Sequence, residues 1–145
     1  MKAVVQKVSR ALVRVDGEAV SHIGPGLFVL VGVASNDTPS QAELLAHKVA
    51  HLRVFEDADG RMNHSVIDVH GELLVVSEFT LCGDARRGHR PSYSTAMPVE
   101  DARAFWPCVE AAFQATEVPC RVGRFQAMMS CELVNEGPVT ILLEI

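Results

Sequence analysis

No part of this sequence is apolar for long enough to cross a bilayer. The longest such run, "GLFVLVGVA" at 26–34, falls far short of the roughly 20 residues a membrane-spanning helix needs. The opening "MKAVVQKVSR" lacks the extended apolar segment and small-residue cleavage site of a secretory signal. A cytoplasmic protein without membrane contact is therefore expected. Cysteine is sparse, and Cys82, Cys108, Cys120 and Cys131 form no CxxC pair and no Cys/His ligand spacing. Buried, reduced thiols are expected in place of a zinc or redox centre. The six histidines, His22, His47, His51, His64, His70 and His89, give no HExxH and no HxH. GxSxG and P-loop signatures are missing as well, so neither a metal nor another cofactor is expected. Repeats, low-complexity tracts and linkers are absent.

What is present describes one domain, spanning 1–145. The chain has 145 residues, of which 48% are hydrophobic and 21% charged, a balance that supports a real core and excludes disorder. A formal net charge of −5 argues against indiscriminate coating of nucleic acid. The basic residues are unevenly placed, however. "DARRGHRPSY" at 84–93 sets Arg86, Arg87, His89 and Arg90 against a single acid, Asp84.

The hydrophobic pattern is rich in strands. "AVVQKV" and "ALVRV" read as strands, and Asp16-Gly17 supplies hairpin chemistry before "EAVSHI". "GPG" at 24–26 turns the chain into "LFVLVGV", a strand apolar enough to be buried on both faces. Thr38 and Pro39 open a helix predicted to run to about Phe55, with Leu44, Leu45, Val49 and Leu52 on its apolar face. "EDADGRMNHS" reads as a loop and "ELLVVSEFTL" as a second buried strand ending at the basic segment. After Pro98 a second helix is predicted, with Ala102, Phe105, Trp106, Val109 and Phe113 as its stripe. "RVGRFQAMMSCELV" and "PVTILLEI" read as closing strands. Helices on one face of a sheet and sheet against sheet on the other fit this order.

Ordinary catalytic constellations are lacking, and two unusual segments remain. "SEFTL" places Ser77 and Thr80 where a buried strand gives way to a loop, a common position for functional groups, although strand ends also tolerate hydroxyls without using them. "NEGPVT" puts Gly137-Pro138 at the start of a strand, where glycine weakens the ladder and proline removes a donor. A plain turn or bulge explains it; so does a constrained peptide that exposes carbonyl oxygens. Asp57-Ala58-Asp59-Gly60 has the start of a calcium loop but lacks the later ligands and the closing glutamate.

From end to end the chain resembles the D-aminoacyl-tRNA deacylases. The resemblance is carried by "MKAVVQKVSRALVRVDGE", "IGPGLFVLVGV", "LRVFEDADGRMN", "SVIDVHGELLVVSEFTL", "RRGHRPSY", "GRF" and "NEGPVT". It implies a compact three-layer α/β/β domain with mixed sheets and two main helices, working as a homodimer. It implies hydrolysis of the ester joining a D-amino acid, or glycine, to the 3′-terminal ribose of tRNA. Gly137-Pro138 would be a cis peptide inserted by one subunit into the other's active site, there to capture the substrate and reject L-residues. Ser77 and Phe79 would hold the terminal adenosine, with Phe125 and Met129 lining the pocket. Thr80 would sit beside the ester, with backbone N–H groups around Phe79 and Thr80 stabilising an oxyanion. Arg86, Arg87 and Arg90 would meet acceptor-stem phosphates. Thr80 as a nucleophile ranks second, because no base in the sequence is placed to activate it.

Three positions depart from the family pattern. Glu78 stands where glutamine is usual, exchanging an amide for a carboxylate at the site. That change bears on substrate binding and pH dependence, and supplies a potential base. Lys7 replaces the arginine that braces the Gly-Pro peptide, a point charge in place of a bidentate fork. "RFQAMM" keeps Met129 but adds Gln126. The competing functional reading is a catalytically impaired homologue that binds tRNA 3′ ends.

Overall fold

The computed structural model describes residues 1–145. Eight strands and two α-helices run in the order β1 (Lys2–Val15), β2 (Glu18–Ile23), β3 (Gly26–Gly32), α1 (Pro39–Ala50), β4 (Phe55–Glu56), β5 (Met62–His64), β6 (Glu72–Ser77), α2 (Val99–Gln114), β7 (Cys120–Val122) and β8 (Met129–Glu144). Six strands form one mixed sheet in the order β2-β1-β3-β6-β7, with β8 on the other side of β1. The pairs β3/β6 and β6/β7 are parallel, and β1 is antiparallel to all three of its neighbours. The sheet curls far enough for the Ser21 hydroxyl on β2 to bond the carbonyl of Val122 beside β6, giving a near-barrel.

That curl explains why two expected strands are one. Both "AVVQKV" and "ALVRV" belong to β1, but the strand changes its buried face midway. Ala3 and Val5 join the core beneath the helices, whereas Val8, Ala11 and Val13 join a second core inside the curl with Ile23, Phe28, Leu74 and Val76. Burial alternates from Lys2 to Lys7 and again from Ala11 to Val15; between them Lys7 and Val8 are both buried and Ser9 and Arg10 are not. β3 is buried on both faces as expected: Leu27, Val29 and Val31 point to the helices and Phe28 into the curl. Each fully buried side chain of this size contributes about 1.5–3 kcal/mol. At the β1/β2 turn Asp16 (φ 52°) and Gly17 (φ 83°) both have positive φ, as the Asp-Gly pair predicts.

The helices differ from expectation in detail. Thr38 and Gln41 form a capping box at the start of α1, but the helix stops at Ala50. Its buried face is Ala42, Leu45, Ala46, Val49 and Ala50, leaving Leu44 46% exposed and Leu52 beyond the end. Small alanines hold the core positions that leucines were expected to fill, and their weak hydrophobicity hid that face. α2 keeps the expected stripe, with Trp106, Val109 and Phe113 buried.

Three loop and strand assignments also change. The 55–64 segment is a hairpin of β4 and β5, its turn tied by the Asp57 carboxylate to the N–H groups of Asp59 and Arg61, each at 2.9 Å. Bonds from the Asn63 amide and the Arg61 N–H lower the pKa of Asp57, so its oxygens close the turn themselves. β6 ends at Ser77, and Phe79–Cys82 form a 3-10 helix instead of further strand. The expected strand "RVGRFQAMMSCELV" divides into β7 and the beginning of β8, which pair with β6 and β1 respectively.

Candidate active site

At the C-terminal ends of the parallel strands β3 and β6 lies a cavity of about 450 Å³, the usual position for a ligand in a sheet of this kind. Ser77, Glu78 and Phe79 contribute one wall, and Phe125, Gln126 and Met129 another. α2 closes it with Trp106, whose ring stacks on Phe125 at 5.7 Å and whose indole N–H donates to Glu110 at 2.7 Å. The residues most distant in sequence are thus brought together: the end of β6 and the 125–129 stretch that enters β8. A second depression, of about 520 Å³ between α1 and α2, contains stacked His47 and His51 but none of the signature residues.

Phe79 stands at the cavity with 59% of its surface exposed. Tyr93, from the basic loop, meets it edge to face at 5.2 Å. An exposed aromatic pair beside an apolar cavity is a stacking platform for a flat ligand. Tyr93 was not singled out from the sequence; its place in "RRGHRPSY" was the available signal.

Glu78 organises the 3-10 helix. Its Oε1 accepts from the Thr80 N–H at 3.3 Å and also from the Thr80 hydroxyl. Two expectations are corrected by this contact. The Thr80 N–H points to a carboxylate and is not free for an oxyanion. Thr80 also has a base in hydrogen-bond contact: Glu78, the potential base that departs from the family pattern. Thr80 itself does not line the cavity.

Gly137-Pro138 lies elsewhere. Gln6 pairs with Thr140 and Val8 with Asn135, so residues 136–139 of β8 bulge out opposite Lys7 alone. The Gly137–Pro138 peptide is cis, both residues are exposed, and neither lines the cavity of its own chain. Asn135 pins the bulge, its Nδ2 donating to the carbonyls of Lys7 at 3.2 Å and Val139 at 2.9 Å. The Val139 side chain anchors it in the helix-side core. Asn135 opens "NEGPVT", and nothing in the local sequence announces this bracing contact. Lys7 does not direct its charge to the Gly-Pro peptide. Its ammonium is 3.5 Å from Glu56 and 5.9 Å from the centre of the Phe55 ring.

In the basic loop, Arg86 is committed to Asp84 by bonds of 2.9 and 2.6 Å. That contact holds the Asp84 carboxyl down to about 2. Arg87 and Arg90 are exposed and make no ion pair.

Fold and site together define a small α/β domain with an apolar ligand cavity at its parallel strand ends. Residues 4–144 match the family model described as D-Tyr-tRNA(Tyr) deacylase, and the chain belongs to that family. It is 54% identical to a D-aminoacyl-tRNA deacylase of Anaeromyxobacter dehalogenans over 99% of this chain and 97% of the relative. It is 49% identical to that of Carboxydothermus hydrogenoformans over the whole of both chains. Among solved structures it superposes on a c-Myc DNA unwinding element binding protein with a TM-score of 0.94 and 42% identity, covering 100% and 99% of the two chains. A probable eukaryotic D-amino acid tRNA deacylase shares the fold, with a TM-score of 0.83 at 14% identity over 99% and 98%.

Proposed function

We propose that this protein hydrolyses the ester of D-aminoacyl-tRNA in the cytoplasm, releasing the D-amino acid and tRNA, with glycyl-tRNA as a further substrate. The observation that carries the reading is the convergence of Ser77, Phe79, Phe125 and Met129 on one cavity in a chain that matches the family along its length. The cavity suits the terminal adenosine, with the Phe79/Tyr93 pair offering an aromatic face to its base. Arg87 and Arg90 then lie on the side of the site from which acceptor-stem phosphates approach, with Arg86 partly neutralised by Asp84.

Chiral selection falls to the bulge at Gly137-Pro138, acting from the other subunit of a homodimer. Carbonyl oxygens accept charge-assisted hydrogen bonds from the substrate's α-ammonium. Once ammonium and ester are fixed, the α-carbon has two positions left to fill. Rigid backbone in the L side-chain position excludes L-residues, admits D-residues of many sizes, and cannot reject glycine. The exposure of this peptide and its absence from the lining of its own chain's cavity support a role in trans.

The direct test is release of D-tyrosine from D-tyrosyl-tRNA in the presence of EDTA, with L-tyrosyl-tRNA as control. No acceleration over spontaneous hydrolysis would refute the reading. Subunit mixing tests the role in trans. Chains carrying Gly137→Ala, mixed with chains carrying Ser77→Ala and Phe79→Ala, should regain activity, because one of the two sites in the heterodimer is then intact. Absence of recovery in verified heterodimers would place both elements in the same chain.

The second reading, a homologue that binds tRNA 3′ ends without turnover, draws on the structural relative named for binding a DNA element. Tight binding of D-tyrosyl-tRNA with no release of D-tyrosine would favour it.

A further inference from the structure

The cavity contains one charge. Glu78 is the only acidic or basic side chain among its lining residues; the others are aliphatic, aromatic, sulfur-bearing or neutral polar groups. The carboxylate is only partly buried, and the protein bonds only half of it. Oε1 holds both the N–H and the hydroxyl of Thr80, while no protein donor bonds Oε2. The backbone is fixed as well, the Glu78 N–H donating to Val31 at 2.8 Å and its carbonyl accepting from Leu81 at 3.3 Å. The result is a positioned carboxylate with one oxygen anchored and the other available.

We propose that Glu78 is the general base of ester hydrolysis in this chain and that Thr80 is its positioning residue; the inference rests on the deacylase reading above. Oε2 takes a proton from water as the water oxygen bonds the ester carbonyl carbon and the carbonyl electron pair moves to oxygen. The tetrahedral intermediate re-forms its carbonyl by breaking the bond to the ribose oxygen, which receives the proton from Glu78. The free amino acid and tRNA depart, and the carboxylate is restored. A glutamine side chain cannot accept that proton at neutral pH, so replacing the carboxylate by an amide separates base catalysis from positioning.

Neighbouring groups do not offer a substitute base. Cys131 on β8 faces Glu78, and burial first, then the Glu78 charge, pushes its thiol up. Cys82 on the 3-10 helix is raised by burial. From α2, Arg103 reaches the cavity through its bond to Gln126 and lies 3.7 Å from Glu100. In the following loop Asp84 is held by Arg86.

The experiment is single-turnover hydrolysis of D-tyrosyl-tRNA from about pH 4 to 8, with spontaneous hydrolysis subtracted and tRNA affinity measured in parallel. The wild-type rate should show an acid limb, falling as the pH drops and a proton occupies the base. Glu78→Gln, which keeps an acceptor for Thr80, should lower the plateau by roughly 10²-fold and abolish that acid limb, with tRNA affinity unchanged. Thr80→Val should keep the limb but lower the plateau with tRNA affinity unchanged, and Thr80→Ser should restore the plateau. Three results would overturn the proposal: a Glu78→Gln enzyme with the wild-type plateau and limb, a loss confined to tRNA affinity, or accumulation of an ester on Thr80. An inactive wild-type protein would instead defeat the deacylase reading itself.

Discussion

The 77–82 strand end and the 135–139 bulge both mark this chain as unusual in sequence, but they meet their surroundings in opposite ways. The strand end is backed by its own chain: the Glu78 N–H is held by β3, its carboxylate by Thr80, and Ser77 and Phe79 share a cavity with residues from α2 and the start of β8. The bulge is held only at its base, by the Asn135 amide and the Val139 side chain, and its Gly-Pro crest is exposed. One region encloses a cavity; the other displays backbone outward. Their difference teaches that a cavity needs surrounding mass, whereas a displayed peptide needs only a firm footing.

The largest effect is expected at the crest. Gly137 has φ 112°, and a Cβ there would come within 2.8 Å of Val139 Cγ2. Gly137→Ala should therefore shift the bulge and cut deacylation by roughly 10²-fold, the scale of loss that about 1 Å of misplacement produces. Thermal unfolding should change far less than activity, because the crest packs against little else. A variant of full activity and full D-over-L selectivity would remove the bulge from the mechanism.

Next come the supports of each region. Asn135→Ala removes both bonds at the base of the bulge and should cost about 1–3 kcal/mol of stability in a denaturant titration. Phe79→Ala, being exposed, should leave stability within about 0.5 kcal/mol yet weaken tRNA binding by about 1–3 kcal/mol through lost base stacking. Equal effects of the two variants on stability would erase the distinction between footing and platform.

Smaller still is the contribution of the basic loop. Arg87→Ala and Arg90→Ala should weaken binding alike for every amino acid, and reduce the logarithmic salt slope by about 0.9 per lost phosphate contact. Arg86→Ala should change the slope less, because its charge is already matched by Asp84. A shift in D-amino-acid preference would bring the loop into the amino-acid pocket.

The smallest effect is in acid. The folded pKa of Asp84, about 2, lies below its unfolded value, mainly through hydrogen bonding from Arg86. Its stabilisation of the loop is complete above about pH 4 and is lost as the pH falls through about 2. Amide exchange at Ser92, whose N–H bonds the Asp84 carbonyl at 2.8 Å, should accelerate in that window. Exchange that is independent of pH there, after correction for intrinsic rates, would contradict the assignment.

Much of this was written locally. The Asp16-Gly17 turn, the doubly buried β3 and the α2 stripe follow from spacing and residue type, because strand and helix periods repeat over a few residues; the two signature segments stand out through resemblance to the family. What the sequence could not contain was the partner of each polar group. Lys7 turning to Glu56, Arg86 engaging Asp84, Asn135 spanning the bulge and Glu78 taking the Thr80 hydroxyl all depend on directions set by the backbone once folded. The face change at Lys7 and Val8 is likewise a product of the curled sheet: alternation fixes which residues share a side, but only packing decides which core that side meets. Local periodicity therefore determined most elements of this protein, and tertiary closure determined its hydrogen-bond partners, because a strand's pattern is carried along the chain while a donor's acceptor is chosen across it.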